Sequence, residues 1–216
     1  MNNKAQFFPY KDEIARHSFP YITISLIALN IIIFFWSLTN FESVINTFGF
    51  VPAAASILTI FTSMFLHGGF DHILGNMLYL WIFGDNVEDK FGKFFFIIFY
   101  LLAGIAATFT HWFTNIGSAI PAIGASGAIS GVLGSYVVLF PKARIHTIGR
   151  FGLTTVSAWM MIGLWFLIQL LLGSASLFGG QGSGIAFWAH VGGFVFGFVV
   201  TLALKVSGIV KVEGKK

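Results

Sequence analysis

Ser126, in Gly124-Ala125-Ser126-Gly127, opens one apolar stretch of this chain, and His190 lies inside another. A serine hydroxyl becomes a nucleophile when a base within hydrogen-bond reach takes its proton, and histidine is the side chain most often used as that base. Ionisable groups set among apolar residues are costly, so their presence there points to chemistry. A third polar cluster, His67-Gly68-Gly69-Phe70-Asp71-His72-Ile73-Leu74-Gly75-Asn76, opens a further apolar run. His72 and Asn76 are four residues apart and share a helix face. Both can donate hydrogen bonds, and donors aimed at a reacting carbonyl stabilise the negative charge that develops on its oxygen.

The elements that carry these residues are membrane helices. Of 216 residues, 56% are hydrophobic and 9% charged, and the mean hydropathy is +0.86. About 20 apolar residues cross a hydrocarbon core of about 30 Å. Stretches at 19–37, 72–84 with an apolar approach from Ile57, 94–113, 126–140, 153–172 and 186–204 predict six of them. The fold class is therefore all-α, a polytopic six-transmembrane-helix bundle over 18–207, with tails at 1–17 and 208–216. No small-x-small cleavage pattern follows the first stretch, which reads as a retained anchor.

Charge sets the orientation, because Lys and Arg are held on the cytoplasmic side. Six spans from a cytoplasmic N-terminus place about 38–71, 114–125 and 173–185 outside, and these hold no Lys or Arg. All twelve fall on the other side: Lys4, Lys11 and Arg16; Lys90 and Lys93; Lys142, Arg144 and Arg150; Lys205, Lys211, Lys215 and Lys216. Both termini are expected to be cytoplasmic. The net charge of +4 is this bias plus some attraction to anionic lipid, and nucleic acid is not an expected partner. Without cysteine, disulfides and thiolate metal sites are excluded.

Helix rise puts the polar residues at one depth. Ser126 is about 24 Å from Lys142, His190 about 22 Å from Lys205 and His72 about 20 Å from Asp85, at about 1.5 Å per residue. All three then sit several ångströms below the outer surface, where irregular backbone such as 115–124, with its Gly and Pro, implies a water-accessible cavity. Gly127, Gly131 and Gly134 make one face of the Ser126 helix small, and Gly193 and Gly197 share the face of His190. Small faces let helix backbones approach closely in lipid.

The eight acidic residues limit the site. Asp12, Glu13, Asp85, Glu88, Asp89 and Glu213 lie on the cytoplasmic side, Glu42 and Asp71 outside, and none within a span. With no carboxylate to orient His190, a Ser–His dyad is expected. Asp71 reads as a helix N-cap, and Glu88 and Asp89 with Lys90 and Lys93 as a solvated loop. His67, His72 and His190 make a three-histidine set without other ligands, so neither a metal nor another cofactor is expected. His17, His111 and His146 need only interfacial polarity, and Trp159 and Trp165 a packing or lipid-facing role.

In His67…His72-x3-Asn76, Gly124-Ala125-Ser126-Gly127-x3-Gly131 and Ala189-His190-x2-Gly193-x3-Gly197, the chain resembles the rhomboid intramembrane serine proteases, in their six-helix bacterial form, along nearly its whole length. The resemblance implies Ser126 as nucleophile, His190 as general base, and His72, Asn76 and the Ser126 amide as oxyanion donors. It also implies substrates that are transmembrane proteins, cut near the outer end of their helices after these come in sideways and unwind, and a bacterial plasma membrane location. Two departures stand out: the outer face lacks the Trp-Arg pair of some members, and Ser130 replaces a Tyr that stacks on the histidine in others, so other packing must hold His190. A catalytically silent relative that binds or chaperones membrane proteins is the alternative, but both Ser126 and His190 are present. A transporter would need paired carboxylates or an inverted repeat; neither is found. The oligomeric state is left open.

Overall fold

The computed structural model describes residues 8–149, 152–177 and 185–210. Lys4, Arg150, Lys211, Glu213, Lys215, Lys216 and most of the expected 173–185 outer segment lie outside these. In chain order come β1 (Phe8–Asp12), α1 (Tyr21–Ser37), α2 (Phe41–Phe48), α3 (Ile57–Thr62), α4 (Phe70–Tyr79), α5 (Asp85–Phe91), α6 (Lys93–Thr114), α7 (Ser126–Leu139), β2 (Arg144–Gly149), β3 (Gly152–Ser157), α8 (Ala158–Leu177) and α9 (Phe187–Val206).

The structure is mostly helical, with α7 at its centre. That helix is buried along nearly its whole length, between α6 and α9, and the core spreads from it through Tyr136, Phe83, Tyr100, Phe96 and Phe99. Among the described residues, α6, α8 and α9 are long and apolar enough to cross a membrane. A fourth span results if Ile57–Phe65 and Phe70–Phe91, which meet at 89°, are counted as one. The other apolar helices, α1 with 17 residues and α7 with 14, run only about 25 and 21 Å. Helix length therefore gives three to four spans where apolarity predicts six.

Two expectations need correction. The molecule is not purely helical: β1, β2 and β3 form an antiparallel sheet, built from part of the N-terminal tail and the basic segment after α7. Residues 153–157, expected to open the fifth span, are its last strand, because Thr154, Thr155 and Val156 are β-branched and pair with Ile145, His146 and Thr147. The segment 85–93 is also not a solvated loop. The helix continues from α4 through a widened turn at Leu80–Gly84 into α5, and Gly92, at φ 77°, ends α5 and starts α6.

Glu88 is 1% exposed. Its carboxylate accepts from the backbone N–H groups of Ile22 and Thr23, at 3.0 and 2.8 Å, and from the Thr23 hydroxyl at 2.8 Å. Pro20, the N-cap of α1, has no side-chain oxygen to give, so a residue on another helix satisfies the orphan donors of the first turn. Asp12 at the end of β1 does similar work, accepting from Asn86 Nδ2 at 2.8 Å and from the Tyr136 hydroxyl on α7.

Burial raises the pKa of Asp12, with the Tyr136 hydrogen bond opposing the rise. A carboxyl whose folded pKa lies above its unfolded one favours folding more as pH falls through the folded value, and the gain is complete below the unfolded value of about 4. Unfolding temperatures in detergent, measured from pH 7 to 4, should therefore show Asp12→Asn losing an acid-side stabilisation that the parent protein has.

Candidate active site

Helices α4, α7, α8 and α9 line an open cavity of about 290 Å³ that holds His72, Asn76, Ser126, Ser130, Trp165 and His190 among others. The structure thus brings together the four residues expected to act. His190 Nε2 lies 2.8 Å from Ser126 Oγ, across 64 residues of chain.

Backbone contact sets that distance. A Cβ built on Gly193 would lie 2.0 Å from the carbonyl oxygen of Gly127, and one on Gly197 1.9 Å from that of Gly131. The two glycine faces do not oppose each other symmetrically. Gly193 and Gly197 of α9 press on α7 carbonyls, whereas the Cα positions of Gly127 and Gly131 face α6, where added Cβ atoms would meet Ala107 and Ala103 at 2.6 and 2.5 Å. Gly134 of α7 turns toward α9, its added Cβ 2.2 Å from the Phe194 carbonyl. Lower down, Thr201 donates to Ser135 at 2.8 Å, an interhelical bond of the kind favoured in apolar surroundings.

The turn into α7 is equally constrained. Gly124 has φ 129°, a conformation that L side chains rarely adopt, and its added Cβ would lie 2.8 Å from His72 Nε2 and 3.6 Å from Ser126 Oγ. Its N–H donates to Ser63 O at 2.9 Å. Farther back the irregular segment is held by a reciprocal backbone pair between Phe50 and Ala122 and by Ala53 N–H on Ser118 O. The irregular backbone expected before Ser126 is thus present and tied to the 50–63 region.

On α4, Gly68 N–H donates to His72 Nδ1 at 3.2 Å. A neutral His72 therefore carries its proton on Nε2, the nitrogen beside Gly124 and Ser126. Asn76 is 8% exposed, and its Nδ2 makes no hydrogen bond among the described residues. A buried donor without a partner is costly, and this one lines the cavity that holds Ser126. His67 is fully buried, its ring packed edge-on against His72 at 5.1 Å. Asp71 is not the N-cap of α4: Gly69 takes that position, and Asp71 lies within the first turn.

Ser130 donates to the Ser126 carbonyl at 2.6 Å and does not hold His190. The ring is held from α8, where Gln169 Oε1 lies 2.8 Å from Nδ1 and Trp165 packs 5.9 Å away at 36°. Gln169 is not evident from the acidic residues of the sequence; its usable signal is that it is the one amide side chain in the apolar run 153–172. Trp159, in the first turn of the same helix, is exposed and lies outside the site.

A short α7 with a serine at its head, within hydrogen-bond distance of a histidine on a glycine-packed neighbour, defines a helical membrane protein with a Ser–His pair at a cavity. Residues 54–206 match the Rhomboid domain, and the chain belongs to the rhomboid family; it is an integral membrane protein. It is 33% identical to the rhomboid protease GluP of Bacillus subtilis over 197 residues, covering 86% of this chain and 35% of GluP. Identity to the rhomboid protease AarA of Providencia stuartii is 27% over 210 residues, 84% of this chain and 72% of AarA. Rhomboid protein 1 of Saccharomyces cerevisiae mitochondria is 31% identical over 131 residues, 57% of this chain and 38% of that protein. The chain therefore spans little more than a third of the yeast and Bacillus relatives.

Gly197→Val should separate α9 from α7, since the Gly131 carbonyl cannot give way as a flexible side chain would. Loss of several kcal/mol is expected, at or above the roughly 1–3 kcal/mol of ordinary overpacking, read as a lowered unfolding temperature in detergent.

Proposed function

We propose that this protein is an intramembrane serine endopeptidase that cleaves transmembrane helices of membrane proteins near their outer end. The observation that carries the reading is the 2.8 Å approach of His190 Nε2 to Ser126 Oγ. It is supported by the unpartnered Asn76 Nδ2 in the same cavity and by the rhomboid proteases among the relatives.

His190 Nε2 takes the Ser126 proton as Oγ attacks the scissile carbonyl carbon. His72 Nε2–H and Asn76 Nδ2–H, with the Ser126 amide at the open first turn of α7, donate to the resulting oxyanion. The C–N bond breaks as His190 returns its proton to the amine, leaving an ester on Ser126. Water, deprotonated by His190, then releases the acid and restores Oγ–H. Gly124, Gly127, Gly131, Gly193 and Gly197 act by packing.

In this reading the chain crosses the membrane six times. α1 and α7 are two of the spans, shorter than the rest, and α3 with α4 and α5 forms another. Both termini face the cytoplasm of a bacterium, on the charge distribution, and the site opens toward the outer face. A helix whose backbone bonds are satisfied internally must unwind locally to present its carbonyl, which is why the site needs water at depth.

The test is cleavage of a labelled single-span substrate in proteoliposomes. Ser126→Ala and His190→Ala should each abolish it, and Asn76→Ala should lower kcat by about 10²- to 10³-fold, as for other oxyanion donors. Cleavage that survives Ser126→Ala would sink the proposal, and an unreactive Ser126 toward a fluorophosphonate in the folded protein would favour a non-catalytic binder.

A further inference from the structure

We infer that Gln169 is a positioning residue that fixes the tautomer of His190, so that the site is a Ser–His–Gln array rather than a bare dyad; this rests on the endopeptidase reading above. The two ring nitrogens of His190 are engaged on opposite edges, Nε2 by Ser126 Oγ and Nδ1 by Gln169 Oε1, each at 2.8 Å. A neutral imidazole has one N–H and one lone pair, and an amide oxygen can only accept. The proton therefore sits on Nδ1, and the Nε2 lone pair faces the serine hydroxyl, as a base must. The other tautomer would set two lone pairs against each other at Oε1 and turn an N–H toward Oγ, leaving nothing to take its proton.

The setting of Gln169 agrees. It is 7% exposed on a helix whose neighbouring residues are apolar, where a buried amide is costly unless bonded. Trp165, Gln169 and Gly173 are spaced by four and make one stripe of α8. Trp165 packs on the His190 ring, and the Gly173 carbonyl accepts from Trp188 Nε1 at 3.0 Å, two residues from His190. An added Cβ on Gly173 would meet Phe187 Cβ at 3.3 Å. These contacts fix the register of α8 against the first turns of α9, and Gln169 is the member of the stripe whose contact has a direction that matters to proton transfer. An amide gives that direction without placing a second charge in apolar surroundings. Because it stabilises the imidazolium less than a carboxylate does, its removal should cost far less than loss of a triad aspartate.

The test uses the full chain in proteoliposomes, with Gln169→Met, similar in length without the acceptor, and Gln169→Glu, which keeps the acceptor and adds charge. Gln169→Met should lower kcat about tenfold, the scale of one net hydrogen bond, with KM unchanged. Gln169→Glu should stay active, with the acid limb of its kcat–pH profile moved to higher pH, because a carboxylate favours the protonated ring; a residue that merely packs would not move that limb. Nitrogen NMR of labelled histidine should find the His190 proton on Nδ1 in the parent protein and a mixture in Gln169→Met. An active parent with a Gln169→Met variant of unchanged kcat, or a parent whose His190 proton is on Nε2, overturns this inference and leaves the endopeptidase reading standing. A folded parent that neither cleaves nor reacts at Ser126 overturns both.

Discussion

No side chain separates α7 from α9 where Gly193 and Gly197 cross the carbonyls of Gly127 and Gly131, and the separation of Ser126 from His190 follows from that contact. Lipid offers no hydrophobic drive for helices to associate, so van der Waals fit and interhelical hydrogen bonds must do it. Glycine supplies the fit at its limit: no smaller residue exists, and every substitution can only move the two helices apart. The Ala103 and Ala107 methyls of α6 close the other side of α7, which leaves the serine helix little freedom to shift toward or away from His190.

The two halves of the molecule are held by different forces. The half with the candidate site relies on glycine contacts, backbone bonds into the 115–125 segment and the stripe on α8. The opposite half, with the sheet, relies on charge and long-range polar bonds: Glu88 on the first turn of α1, Asp12 between Asn86 and Tyr136, and Asp89 receiving the Ser18 hydroxyl at 2.6 Å. Bonds that involve a charged group are stronger than neutral ones, and here they tie elements far apart in sequence.

Much of the site was legible because polar residues are scarce in these stretches, so Ser126, His190, His72 and Asn76 stood out, and glycine spacing told which helix faces could approach. The assignment of each glycine to a neighbour was not legible, since angular position within a helix does not say which partner occupies that angle. Glu88 resembled a solvated charge because it sits beside Asp89 and Lys90, while its partners are more than sixty residues away. The sheet was hidden because Leu153-Thr154-Thr155-Val156 is as apolar as a span, and only pairing with β2 decides between the two. Gln169 was not legible because it carries no charge, whereas contact with an imidazole N–H requires only a lone pair in the right place.

The antiparallel sheet also has a consequence for the order in which the chain can be built. Phe8 pairs with Ile148 and Asp12 with Ile145, loops of about 130 to 140 residues whose closure carries the entropy of a long-range contact. A ribosome finishes β1 before any of the bundle exists, yet its partner strand appears only after α7 has been made. The first described strand is thus among the last to dock, and when Asp12 reaches Tyr136 it closes the chain on a serine helix already complete.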